Sequence, residues 1–139
     1  MPESAPFGAE LERVIRLTTV RVAAERYAYL RTDTLPERGN HLMVFSCGDD
    51  NTVVTQESQV HDIDYTAMEE WFRLFEFHIP IPFQAPGFLA SIASAVADER
   101  INILMISTFP RDYALVKESE VERAIRALRR RGFPISNPD

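Results

Sequence analysis

The order of hydrophobic elements over residues 72–133 constrains this chain more than any other feature. Residues 72–79 alternate, with Phe75, Phe77 and Ile79 on one side and Glu76 and His78 on the other, as a strand covered on one face requires. Pro80 and Pro82 end that ladder. Pro86 and Gly87 then open a helix whose apolar residues Phe88, Leu89, Ile92, Ala93 and Val96 recur at helical spacing. Two further strands are predicted at residues 101–107 and 113–117. A last helix starts at Ser119, where Ser119 and Glu122 have capping-box spacing, buries Val121, Ile125 and Leu128, and closes at Gly132. The order is β-α-β-β-α. A chain of this order folds as α+β, a ferredoxin-like βαββαβ arrangement with an antiparallel sheet and its helices on one face.

The first half repeats that order in reduced form. Residues 1–9, with Pro, Ser and Gly, read as a loose tail. Residues 14–22 are β-branched and read as a strand. Over residues 26–31, Tyr27, Tyr29 and Arg31 alternate with Ala28 and Leu30, which suits a second strand or a continuation of the first past a bend. Residues 32–40 carry Pro36 and Gly39 and read as a turn. A hairpin follows, with strands at 42–46 and 52–56 around Gly48-Asp49-Asp50-Asn51. A short helix is expected at 65–70. The expected organisation is a tail over 1–9, a degenerate half over 10–70 and a complete module over 71–139. The strand near 72–79 ends one half and begins the other, and no flexible linker divides them.

Composition narrows the function. The chain of 139 residues suits one compact domain, and its net charge of -6 argues against nucleic acid as a partner. Arg129, Arg130 and Arg131 fall in the last turn of a helix, where cations stabilise its carbonyl end. Cys47 is the single cysteine, so no intrachain disulfide forms, and a reducing cytoplasm is the expected setting. It reads as a small half-buried strand residue. Residues 1–8 lack a basic and apolar leader, and no stretch is long and apolar enough for a bilayer. His41, His61 and His78 lie far apart with no metal-ligand spacing, and no phosphate loop, nucleophile elbow or dinucleotide fingerprint is present. No cofactor is implied. Acidic pairs such as Asp49-Asp50 and Glu69-Glu70 suit turns and helix starts, so an enzyme has no anchor.

One site remains. Free amides at the start of the helix after Gly87 favour a carboxylate, and Asp112, after the neighbouring strand, is suited to an ammonium or guanidinium group. On the residues alone, the alternative that Gly87 relieves crowding while Thr108 and Asp112 shape a turn stays open. The run Ile106-Ser107-Thr108-Phe109-Pro110-Arg111-Asp112-Tyr113, together with Gly87, Leu115-Val116 and the acidic-capped last helix, resembles the ACT family. Over residues 71–133 the likeness is to the amino-acid-sensing subgroup that includes cellular arginine sensors. Arg26-Tyr27-Ala28 and the hairpin at 45–57 are similar to the degenerate first module of its small stand-alone members.

The resemblance implies a non-catalytic regulatory protein that binds a free amino acid or similar small zwitterion. It also implies a homodimer or other homo-oligomer, with neither nucleic acid nor membrane as a partner. Residues matching Gly87, Thr108, Phe109 and Asp112 contact the amino acid in that subgroup, with Ser107 and Phe88 beside them. Two positions depart from the pattern: Pro82 and Pro86 stand where the subgroup carries an acidic and a hydroxyl residue, leaving fewer amides and hydroxyls for a ligand. The other function expected of such a chain is an interaction module that dimerises or docks and binds nothing small.

Overall fold

The centre of the fold is a pair of long strands, β1 (Thr19–Arg31) and β4 (Ala67–His78), which pair antiparallel from Thr19 opposite His78 to Arg31 opposite Ala67. The computed structural model of the chain describes residues 4–79 and 86–136. Around this pair lie β2 (Met43–Cys47), β3 (Asp50–Gln56), β5 (Leu104–Ser107) and β6 (Asp112–Lys117). They complete a six-stranded sheet of order β2-β3-β1-β4-β6-β5 in which every strand pair is antiparallel. Counted from β1, the first half has the strand order of a ferredoxin-like unit, β2-β3-β1-β4. Counted from β4, the second half has it again as β5-β6-β4-β1, so each half uses the other's first strand as its fourth. This sharing is how 139 residues hold both.

Side-chain alternation sorts the sheet into two faces. Phe75 and Phe77 of β4, Val20 of β1, and Ala114 and Val116 of β6 form one face with α2 (Phe88–Ala97) and α3 (Val121–Arg131). Tyr27, Val54, Phe72, Leu74 and Leu115 occupy the helix-free face. Long side chains cover that face from within: Tyr29 packs edge-on to Phe72 with centroids 5.5 Å apart, and Lys117 Nζ lies 4.8 Å from the Phe72 ring centre.

The start of the chain differs from expectation. Residues 14–22 are not one strand and residues 4–9 are not loose, because α1 (Ser4–Leu17) precedes β1. Leu11, Val14 and Ile15 make a stripe at helical spacing, and Val14 and Ile15 are wholly buried in the core beneath α2 and α3. Burial of that stripe outweighs the strand preference of its β-branched residues. Thr18 ends the helix by donating its hydroxyl to the Val14 carbonyl at 2.6 Å. Arg131 of α3 reaches back to α1, its Nη1 donating to Glu12 Oε1 at 3.0 Å.

That last contact gives a pH dependence. The Arg131 hydrogen bond holds the Glu12 carboxyl below its ordinary value of 4.5. A carboxylate so lowered adds stability that is complete above its unfolded value and is lost as pH falls through the folded one. Docking of α1 is therefore expected to weaken as pH falls below the ordinary carboxylate value of 4.5 and through the lowered one. Hydrogen exchange at the Thr18 amide, bonded to Ile15 O at 3.2 Å, should speed up there in the native chain but show a smaller change in Glu12→Gln.

Other elements shift for physical reasons. Residues 26–31 continue β1 past a register shift between Val22 and Arg26. Arg26 at this bulge bonds Glu57 (Nε to Oε1, 3.0 Å) and Glu118 (Nη1 to Oε1, 3.2 Å), and its Cζ lies 4.6 Å from the centre of the Trp71 ring. No helix forms over 65–70: the Thr66 amide bonds Arg31 O at 2.8 Å and β4 begins at Ala67, while a 3₁₀ helix occupies Glu57–Asp62 instead. The hairpin turn is shorter than expected, with Cys47 directly opposite Asp50 and Gly48 at φ +60°, as mirror-image two-residue turns require. Cys47 is exposed on edge strand β2 rather than half-buried.

In the second half, β5 starts at Leu104, later than expected. The buried stripe of α2 is Phe88, Ser91, Ile92, Ala95 and Val96, and Leu89 stays exposed; Pro86 precedes the cap instead of entering the first turn. The Ser119–Glu122 capping box does not form, because a 3₁₀ turn over Glu118–Glu120 leads into α3 and its cap Glu120 makes no side-chain bond. The helix does close at Gly132, whose φ of +121° lets its amide and that of Phe133 bond Leu128 O. Arg129 donates to Ile135 O at 3.0 Å and Arg130 pairs with Glu99, so the arginine cluster fastens neighbouring chain.

Candidate ligand site at the start of the second helix

Three strand ends meet on the helix-covered face. Register puts Asp112, first residue of β6, opposite both Phe77 near the end of β4 and Ser107 at the end of β5. Alternation turns Asp112 to the same side as Ala114 and Val116, and it is 1% exposed. A carboxylate taken out of water costs several kcal/mol unless polar groups meet it. Ser107 supplies one, its hydroxyl donating to Asp112 Oδ1 at 2.7 Å.

The connection from β5 to β6 is a tight turn. Arg111 O accepts from both the Thr108 amide (2.9 Å) and the Thr108 hydroxyl (3.0 Å), which leaves Phe109 projecting from the tip, fully in solvent. Arg111 also anchors the turn from the helix-free face, with Nη1 donating to His78 Nδ1 at 2.8 Å. Guanidinium has no acceptor, so that ring nitrogen accepts and the hydrogen sits on Nε2. Nε2 in turn donates to Glu76 Oε1 at 3.0 Å, and Arg21 meets Glu76 Oε2 at 2.8 Å. Sequence reasoning missed this tether; its one signal was the pointing of Glu76 and His78 away from Phe75 and Phe77.

On the helix side, Gly87 caps α2 at φ +90°, a left-handed conformation that explains glycine there. Ser91 donates its hydroxyl to Gly87 O at 2.9 Å, and among the described residues no side-chain cap bond is made at Gly87. Phe88 lies in the core, edge-on to Phe77 and Phe133. The structure thus brings Ser107 and Asp112 together, joins Thr108 to their turn, sends the Phe88 ring to the interior and leaves Phe109 outside. Pro82 and Phe83 fall outside the described residues. Chemically, a buried carboxylate and hydroxyl oxygens are acceptors suited to a cation, and the amide end of a helix is suited to an anion. Among the described residues no group of three His, Cys, Asp or Glu is placed to hold a metal, and no helix is long and apolar enough to cross a membrane.

Residues 68–130, which span every element of this site, match the family model of the ACT domain. Over this segment, somewhat under half of the chain, the protein is similar to an ACT domain. The fold around it extends over most of the chain in solved structures. A protein of Agrobacterium tumefaciens superposes with a TM-score of 0.75 at 20% identity, covering 86% of this chain and 92% of its own. A Vibrio cholerae protein of unknown function gives 0.72 at 17%, covering 91% and 98%. The regulatory subunit of aspartate kinase from Thermus flavus gives 0.62 at 11%, covering 81% and 95%. No curated protein matches the chain by sequence.

Proposed function

We propose that the chain is a non-catalytic, cytoplasmic regulatory protein that binds a free amino acid or similar small zwitterion at the start of α2. The observation that carries this reading is the Asp112 carboxylate, buried on the helix side beside the strand that feeds the α2 loop and bonded to Ser107. In this reading Asp112 and the hydroxyls of Ser107 and Thr108 receive the ammonium, the α2 amides after Gly87 receive the carboxylate, and Phe109 closes the site from its turn. The first half, residues 10–70, serves as a reduced ACT-like module sharing strands with the second, and the protein self-associates. Ligand binding then shifts the packing of the modules by no more than its differential affinity for two states.

A thermal-shift screen against the proteinogenic amino acids is expected to raise the melting point by a few degrees for a selective ligand, since binding to the native state alone stabilises it. The same ligand should give no shift in Ser107→Ala/Thr108→Ala, whose fold is checked by circular dichroism. A flat screen at millimolar ligand sinks this reading. The full exposure of Phe109 on an anchored turn favours a second one, an interaction module in which that ring is the anchor for a protein partner. Phe109→Ala separates them: it abolishes docking in the second reading, and in the first it weakens ligand binding without abolishing it, since Asp112 and the hydroxyls of Ser107 and Thr108 stay in place.

A further inference from the structure

The first half keeps the strand order of the second but not its helices. Between β1 and β2 runs a loop over residues 32–42 where the second half has α2, and between β3 and β4 lies only the 3₁₀ helix Glu57–Asp62 where it has α3. The space left between loop and 3₁₀ helix is a cleft of about 520 Å³.

Its walls are fixed by contacts across the gap in sequence. Gln59 grips Asn40 both ways: the Asn40 amide donates to Gln59 Oε1 at 3.2 Å, and Gln59 Nε2 donates to Asn40 O at 3.0 Å. His41 holds the Arg38 carbonyl through Nε2 at 2.9 Å and the Thr55 hydroxyl through Nδ1 at 2.8 Å. Both ring nitrogens are thus engaged in the wall. Gly39, at φ +103°, is required here, because a Cβ would come within 2.6 Å of His41 Nε2 and 2.7 Å of Gln59 Oε1. A clasp this specific keeps the cleft open without a ligand, which spares the ordering cost of binding.

The lining sets the ligand's chemistry. The lining includes three carboxylate residues, Glu37, Asp62 and Asp64, and one guanidinium, Arg38. Glu37, Asp64 and Arg38 take part in none of the ion pairs of the described residues, and Asp62 meets only His61, at 3.4 Å. Carboxylates only accept, so the complement is a donor with positive charge. Leu35, Pro36 and Ile63 add apolar wall, which suits a hydrocarbon body and not a bare ion. A metal is the poorer fit, since the described residues hold no three ligands in metal-binding reach.

We propose that this cleft binds a small organic cation, an amine or guanidinium on a short hydrocarbon chain. The site is separate from the one at Gly87 and Asp112, and stands or falls independently of it. It uses the room that the first half gained by giving up its helices.

Calorimetric titration of the full chain with cadaverine and with agmatine tests it, alongside sodium chloride at matched ionic strength and 1-pentanol as the neutral body. One-site saturable binding of the diamine is expected, with amide shifts at Gly39, Asn40 and the Gln59 side chain and none at Gly87 or Ser107. Asp62→Asn/Asp64→Asn, two exposed changes that leave the core intact, should weaken binding about tenfold, the scale of a lost charged hydrogen bond. Glu37→Gln should weaken it too, while Glu122→Gln on α3 should not. Equal response to sodium chloride, tighter binding of the neutral alcohol, undiminished binding in the double variant, or shifts confined to Gly87 and Ser107 would each overturn the proposal.

Discussion

Phe77→Ala is expected to cost about 3–5 kcal/mol of folding stability, the range for emptying a large aromatic site in a core. Phe77 is wholly buried, and its ring stands 6.5 Å from Phe88 and 5.9 Å from Phe133, centroid to centroid, while those two are 5.9 Å apart. The three rings join β4, α2 and the segment after α3. All three meet edge-on, an arrangement that adds to simple area burial. Neighbours on a six-stranded sheet cannot collapse into the space, so the upper part of the range applies. A domain of this size holds about 5–15 kcal/mol in all, and the variant would therefore be near its folding threshold. Urea unfolding should show a large drop in midpoint at unchanged slope. A loss under about 1 kcal/mol would mean that the ring triad is not the centre of the core.

Ile15→Asp is expected to release α1 from the body of the protein. Ile15 has no exposed surface, and it packs with Val14 into the cluster formed by β4, α2 and α3. An unpaired carboxylate in that place costs about 3–5 kcal/mol. The chain avoids this cost by undocking the helix, so the measured loss is capped by the free energy that holds α1 in place. Trypsin should then cut at Arg13 and Arg16 far faster than in the native chain, and the melting point should fall. Ile15→Val, which trims one methylene, should lose only about 0.5–1.5 kcal/mol and keep the protection. Unchanged proteolysis in Ile15→Asp would show that α1 is not part of the folded unit.

The two predictions fall on opposite sides of what could be read in advance. Phe77 belongs to a segment with strict alternation, and its inward side was legible from Phe75 and Ile79. Ile15 was not legible as helical, because Val14, Ile15, Thr18, Thr19 and Val20 together form a β-branched run. Only the stripe from Leu11 marks the helix, and it has meaning once α2 and α3 supply a surface for it. The capping box before α3 failed for a similar reason: the chain leaves β6 in a 3₁₀ turn, and the register of that turn places Glu120 at the cap.

At the candidate site, Gly87, Thr108 and Asp112 were named from a glycine before an amphipathic helix and a polar turn between strands, and Ser107 and Phe109 from the family resemblance. Phe88 was named with them although its place in the buried stripe already pointed inward. The tether from Arg111 to His78 could not be read, since the partners lie 33 positions apart and meet only through β4–β6 pairing. The first-half cleft was invisible for the same reason. Its clasp joins Asn40 to Gln59 and His41 to Thr55, and no periodicity relates such positions.

The sequence by itself determined the β-α-β-β-α order of the second half, the inward faces of β4 and α3, and, in the first half, the hairpin. Those signals are local, because side-chain alternation and helical spacing are imposed by backbone geometry within a few residues. The tertiary structure alone decided that β1 and β4 each serve both halves, that α1 docks as a helix, and that a loop and a 3₁₀ helix frame a cleft whose lining includes Glu37, Asp62 and Asp64. These depend on which surfaces remain unburied after the local elements form. Burial between distant segments then selects among conformations that the local chain leaves nearly equal in free energy.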